Sequence, residues 1–220
     1  MATSTNQSPN EPNPHQRRVA EAWNKLAKSS ISESALNDLR ALTPPDLFPR
    51  NHSLTPFGEF DHLAVPHCPP TSAAVAALER TTSVTRLSLN AYPGDAAHLP
   101  NLENHQSLDW LSLYDSQITG IHFTRTRTLH ASFLDLSRTA ITDDCIAQLP
   151  EMPRIQRLVL TLTDLSDIGI CRLSRFSTLR VLYVKYTRVT ERGIADLRSI
   201  LPHCHVKQRV AGSTTKHAYP

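Results

Sequence analysis

Apolar residues return along this chain at a nearly constant interval. In Leu179-Arg180-Val181-Leu182-Tyr183-Val184-Lys185-Tyr186-Thr187-Arg188-Val189-Thr190 they occupy slots 1, 4, 6 and 11, with Thr187 at slot 9. Stepping back 24 residues puts Ile155, Leu158, Leu160, Thr163 and Leu165 in those slots, and another 24 puts Ala131, Leu134, Leu136, Thr139 and Ile141 there. A step of 23 reaches Leu108, Leu111, Leu113, Ser116 and Ile118. Two further steps of 24 reach Val84, Leu87 and Leu89, then Phe60, Leu63, Val65 and Cys68. Six registers of one pattern predict a tandem repeat. Slots 4 and 6 flank one residue, so both point to one face of a short strand, into a core. Slots 3, 5, 7 and 8 are left for the opposite face and its margins.

The second half of each unit repeats as well. Thr142-Asp143-Asp144-Cys145-Ile146-Ala147-Gln148-Leu149, Ser166-Asp167-Ile168-Gly169-Ile170-Cys171-Arg172-Leu173 and Thr190-Glu191-Arg192-Gly193-Ile194-Ala195-Asp196-Leu197 align without a gap. Each opens on a hydroxyl suited to a helix N-cap and continues with an acid in the first turn, where the helix dipole favours it. Ile and Leu three apart then share one side of a short helix. Residues 120–128 are polar and β-branched instead, which predicts an extended return there.

The pattern LxxLxLxxTxIT-D/E-x-G-I-xxL resembles leucine-rich repeats of the kind with a short helix on the convex side. The resemblance covers residues 60–206. It implies an α/β fold, a curved solenoid with parallel strands on its concave face and short helices or extended returns on its convex face. In that family slot 9 is usually Asn or Cys and bonds the backbone at the bend after the strand. Only Cys68 matches; Ser116, Thr139, Thr163 and Thr187 stand elsewhere. Their hydroxyls can satisfy such a group with shorter reach.

The ends differ from the repeats. Residues 1–13 are polar, lack an apolar stripe and are expected to be disordered. Asn13-Pro14 makes a helix start, with Val19, Ala20, Trp23, Leu26 and Ala27 at helical spacing. Ser30 and Glu33 fit a capping box ahead of Ile31, Ala35, Leu39 and Leu42. Residues 14–59 therefore read as a helical N-terminal cap and a Pro-rich connection, since an open solenoid end needs covering. Residues 201–206 offer a last edge strand, and residues 207–220 form a tail.

Composition narrows the function more than the fold. The 220 residues carry 23 basic and 20 acidic side chains, a net +3, which points to a soluble chain rather than one built to hold a polyanion. No run approaches the length of a membrane span, and Met1 to Asn13 has no signal-peptide h-region. Four scattered cysteines without a CxxC pair read as free thiols in a reduced, cytoplasmic setting. His203-Cys204-His205 is the one cluster of metal-ligand types, but on a strand its histidines face away from its cysteine, so no metal is expected. No catalytic or phosphate-loop pattern is present, and neither an enzyme nor a cofactor is expected.

The concave slots are the informative surface. Aromatic residues make up 6% of the chain, yet Trp110, Tyr114, Phe133, Tyr183 and Tyr186 all fall in outward slots. Trp, Tyr and Arg dominate binding hot spots. The candidate partner-binding set is Trp110, Tyr114, Phe133, Asp135, Arg138, Arg157, Tyr183 and Lys185, and the alternative is that the rings pack beneath a neighbouring segment. The resemblance implies a monomeric, non-catalytic module binding another protein on this face, with no nucleic acid and no membrane involved. A substrate-recognition adaptor of a ubiquitin-ligase-like complex is the alternative it leaves open, with a nucleic-acid binder or an enzyme behind it.

Overall fold

The computed structural model describes residues 62–64, 79, 84–90, 92 and 99–208. The N-terminal segment, the helical cap and nearly all of the C-terminal tail read from the sequence lie outside these residues.

Seven three-residue strands form one parallel sheet in strict chain order: β1 (His62–Ala64), β2 (Arg86–Ser88), β3 (Trp110–Ser112), β4 (Phe133–Asp135), β5 (Arg157–Val159), β6 (Val181–Tyr183) and β7 (His205–Lys207). The register is that of the sequence slots. Leu63, Leu87, Leu111, Leu134, Leu158, Leu182 and Val206 are successive partners, and the 23-residue step is absorbed between Trp110 and Phe133. The last strand, expected within residues 201–206, runs from His205 to Lys207, so it begins late in that segment and takes in the first residue of the expected tail. With strands ~4.8 Å apart, the sheet is ~29 Å wide. The result is an open α/β solenoid of leucine-rich-repeat type.

The core follows from the same slots. Leu87, Leu111, Leu134, Leu158 and Leu182 at slot 4 are buried, as are Leu89, Leu113, Leu136, Leu160 and Val184 at slot 6. Ile118, Ile141, Leu165 and Val189 at slot 11 close the layer behind the strands. The slot-9 hydroxyls do hold the bend. Thr139, Thr163 and Thr187 donate to the carbonyls of Leu136, Leu160 and Val184 at 2.6, 2.8 and 2.8 Å. Ser116 reaches across to the preceding unit instead, donating to Leu89 O and accepting from the Tyr92 amide, both at 3.1 Å.

The returns are helical from the fourth strand onward: α1 (Asp143–Ala147), α2 (Asp167–Arg172) and α3 (Glu191–Ile200). Ser166 and Thr190 cap α2 and α3, accepting from the amides of Ile168 and Gly193. The return after β3 is not extended as its composition predicts. Gly120–Phe123 forms one 3-10 turn, with the Thr119 amide donating to His122 Nδ1 at 2.9 Å. Burial of His122 and Phe123 explains the difference: tertiary packing overrides the weak local preference of a β-branched stretch.

Neighbouring returns lock through paired slots. The Asp143 carboxylate accepts the Ser166 amide at 2.8 Å and also the Ser166 hydroxyl. Asp167 does the same for Thr190, at 2.7 Å to the amide and 2.6 Å to the hydroxyl. Each carboxylate lies so close to the next return that only glycine fits opposite it. A Cβ on Gly169 would collide with Asp143, and one on Gly193 with Asp167. Between the 3-10 turn and α1 the bulk is exchanged. Gly120 occupies the aspartate slot, Cys145 the glycine slot, and a Cβ on Gly120 would meet the backbone carbonyl and Cα of Cys145. There Thr142 makes no backbone cap; its hydroxyl bonds Cys145 Sγ at 3.3 Å.

Candidate binding surface on the concave face

The strands place slots 3, 5 and 7 on one face, so residues 24 positions apart in sequence become neighbours across the sheet. At slot 3 the partners run Arg86, Trp110, Phe133, Arg157, Val181, His205. Trp110 and Phe133 are stacked, with ring centroids 5.4 Å apart and planes 11° from parallel. Both are half-buried. The Arg157 guanidinium continues the stack, 6.0 Å from the Phe133 centroid. The rings therefore spend one face each on the other, and Phe133 is also covered by Arg157.

The other candidate residues fall into two groups. Tyr114 lies under the Arg138 guanidinium at 5.9 Å, and Arg138 Nε donates to Asp115 at 3.0 Å. The hydrogen bond to Asp115 is the main reason the Arg138 guanidinium is held above its ordinary pKa. This trio, exposed at Asp115 and Arg138 and half-buried at Tyr114, is internally neutralised. Tyr183 and Lys185 sit on and just beyond β6, half-buried, two strands from Phe133. Asp135 differs from the expectation for an outward slot. It is 6% exposed, and its Oδ1 accepts the Ser137 amide at 2.8 Å. The carboxylate pins the chain at the exit of β4 instead of standing open to a partner.

Slot 8 holds what sequence reasoning passed over. Asp115, Arg138, Leu162 and Tyr186 all have positive φ, between 57° and 58°. Non-glycine residues rarely adopt this left-handed conformation, and it costs about 1 kcal/mol or more at each. Their amides donate to the next unit: Asp115 to Ser137 O, Arg138 to Thr161 O and Leu162 to Lys185 O, each at 2.9 Å. The turn projects the side chains outward, leaving Leu162 47% and Tyr186 56% exposed as adjacent apolar groups at the strand exits. A glycine or asparagine there would have signalled the turn; slot 8 contains neither.

Charge divides the face. Residues 108–116 and 131–139 contain Asp109, Asp115 and Asp135, whereas residues 155–163, 179–187 and 203–208 contain no acid. The latter supply Arg157, Lys185 and Lys207, none of which forms an ion pair with a described residue. Among the described residues no group of three His, Cys, Asp or Glu side chains is placed to hold a metal, and no helix is long and apolar enough to cross a membrane.

No protein-family model matches the chain, and no curated protein matches it. Among solved structures it is similar to the TLR13–ssRNA13 complex at 15% identity and a TM-score of 0.40, covering 63% of this chain and 23% of that one. It is also similar to the plant peptide hormone receptor RGFR1 in complex with RGF2, at 16% identity and a TM-score of 0.33, covering 62% of this chain and 26% of that one. An internalin (inlF) from Listeria monocytogenes is 15% identical with a TM-score of 0.33, covering 69% of this chain and 54% of the internalin. The chain thus spans between about a quarter and a half of the lengths of these structures. Likenesses at this level carry no functional argument.

Proposed function

We propose that this chain is a non-catalytic module that binds another protein on the concave face of its sheet. The observation that carries this reading is the half-exposed Trp110–Phe133 stack at the centre of that face. Large aromatics left partly open beside slot-5 residues as small as Ser88 and Ser112 form the kind of anchor that contributes most of an interface's energy. Tyr114, Arg138, Arg157, Tyr183 and Lys185 rim the anchor with the polar and charged groups that set orientation and association rate. Asp135 contributes through the shape of the β4 exit, not through direct contact.

The test compares affinity capture by the wild-type chain, by Trp110→Ala/Phe133→Ala and by the convex control Ile168→Ser. Ile168 is exposed on α2, on the other side of the solenoid. The concave double variant is expected to fold, by circular dichroism, and to weaken partner binding by at least about 2 kcal/mol, roughly thirtyfold. The convex control is expected to bind like wild type. A folded double variant that captures the same partner undiminished would refute a concave site.

A further inference from the structure

The sheet is asymmetric in charge, and the asymmetry points to the chemistry of what it binds. Over β5, β6 and β7 the outward slots present Arg157, Lys185 and Lys207, without an acidic residue in residues 155–163, 179–187 or 203–208. Every other ion pair of the described solenoid is closed within the chain: Arg125–Glu79, Arg138–Asp115, Arg172–Asp144, Arg175–Glu151 and Arg188–Asp164. Arg157, Lys185 and Lys207 form no ion pair with a described residue, as is also true of Arg127, Arg154, Arg180, Arg192 and Arg198; what sets the three apart is their place together on the outward slots of β5 to β7. Beside them stand Leu162 and Tyr186, apolar side chains held outward by a backbone conformation that disfavours both residue types. The same conformation holds Asp115 and Arg138 in the preceding units, so it fixes the outward direction of these side chains as part of the repeat.

We propose that the ligand of this face is an acidic protein segment in extended conformation. Its carboxylates lie on Arg157, Lys185 and Lys207, and one of its apolar side chains rests on Leu162 and Tyr186. The proposal rests on the concave-face reading above and narrows it to a class of partner. Spacing agrees with an extended chain. Arg157 and Lys207 are two strands and two slots apart, so their Cα atoms are ~12 Å from one another. An extended peptide repeats its side chains on one face every ~6.8 Å, so acids at i and i+4 span that interval.

A single-stranded nucleic acid would also answer to cations and aromatic rings, but it binds through stacking on open ring faces. Here the facing sides of Trp110 and Phe133 are taken by each other, and Arg157 lies over the Phe133 ring.

The experiment is a selection from a randomised library of peptides about ten residues long, enough to cross the ~29 Å sheet. It is run against wild type, Arg157→Glu/Lys185→Glu/Lys207→Glu and Trp110→Ala/Phe133→Ala. The neutral variant Arg157→Gln/Lys185→Gln/Lys207→Gln keeps the test alive if charge reversal disturbs folding. Wild type is expected to enrich peptides with Asp or Glu four residues apart. The reversed variant should lose them and favour Lys and Arg. Selected peptides should bind the neutral variant at least about tenfold more weakly, and bind wild type more weakly as salt rises.

Uncharged or basic binders that are lost only in the aromatic variant would overturn the acidic class while leaving the concave site intact. Binders indifferent to all three variants, or no binders, would overturn both. An oligouridylate that binds wild type more tightly than every selected peptide, and is lost in the reversed variant, would assign the surface to nucleic acid instead.

Discussion

The contact between the Gly120–Phe123 turn and α1 and the contact between α1 and α2 fill the same space with the bulk on opposite sides. In the first, glycine lies on the earlier return and Cys145 on the later. In the second, Asp143 lies on the earlier return and Gly169 on the later. Two slots one period apart therefore behave as one position whose combined volume is conserved. The exchange also changes the chemistry. Asp143 gathers the amide and hydroxyl of the next cap residue, whereas at the earlier contact Cys145 takes the Thr142 hydroxyl. The Cys145 thiol is buried, which pushes its pKa up. Hydrogen bonds from the Thr142 hydroxyl and from the Gly120 and Thr142 amides outweigh that and hold it below its ordinary value.

Adding a methyl group at each glycine gives the largest test. At Gly120 the obstacles include the backbone of Cys145, which cannot swing aside, whereas at Gly193 all the nearest atoms belong to the Asp167 side chain. Gly120→Ala is expected to cost about 3 kcal/mol and Gly193→Ala about 1–2 kcal/mol in urea denaturation, the range for overpacking. Gly193→Ala combined with Asp167→Ala should cost less than the sum of the two, since the second change vacates the contested space. Equal costs at the two glycines, or strict additivity at the second, would break the comparison.

Acid sharpens it further. Burial pushes the Asp143 carboxyl up, but the hydroxyl and amide of Ser166 and the Gly169 amide bind its ionised form and hold it below its ordinary range. A carboxyl depressed in the folded state stabilises the fold at pH above its unfolded value, about 3.9, and loses that contribution as pH falls through the folded value. The melting temperature of Asp143→Asn should therefore lie below that of wild type at neutral pH. The gap should close below about pH 4. A gap that stays constant with pH would remove the carboxylate from this account.

How much of this was legible varies by element. The slots gave away every strand and its partner, because inward leucines two apart admit no other register without exposing the core. The acids at the start of each return were legible only as neighbours of a helix dipole. Their bond to the next unit was not, since a pattern read within one unit is blind to contacts one period away. Cys145 in a glycine slot was visible in the alignment, but its compensation at Gly120 became apparent only in space. Asp135 fell on the outward face by alternation and is buried nonetheless, because a short carboxylate can turn back onto the Ser137 amide.

The smallest expected effect falls where all units agree. Slot 8 is left-handed after each of β3 to β6, whatever the return beyond it. Asparagine tolerates this conformation better than leucine or tyrosine. Leu162→Asn and Tyr186→Asn should each raise stability by about 0.5 kcal/mol, and by similar amounts, in thermal unfolding followed by circular dichroism. A marked inequality would mean that the returns, not the strands, set the slot-8 turn.

The strict chain order of the sheet has a mechanical consequence. Among the described residues each strand is bonded only to the strands one unit before and after it, so tension applied between the first and last strands meets no strand that pairs with both. Load would peel units away from either end, each releasing about 24 residues, or ~80 Å of extended chain. The molecule would lengthen as a series of small yields, in contrast to a Greek-key sandwich that holds and then fails at once.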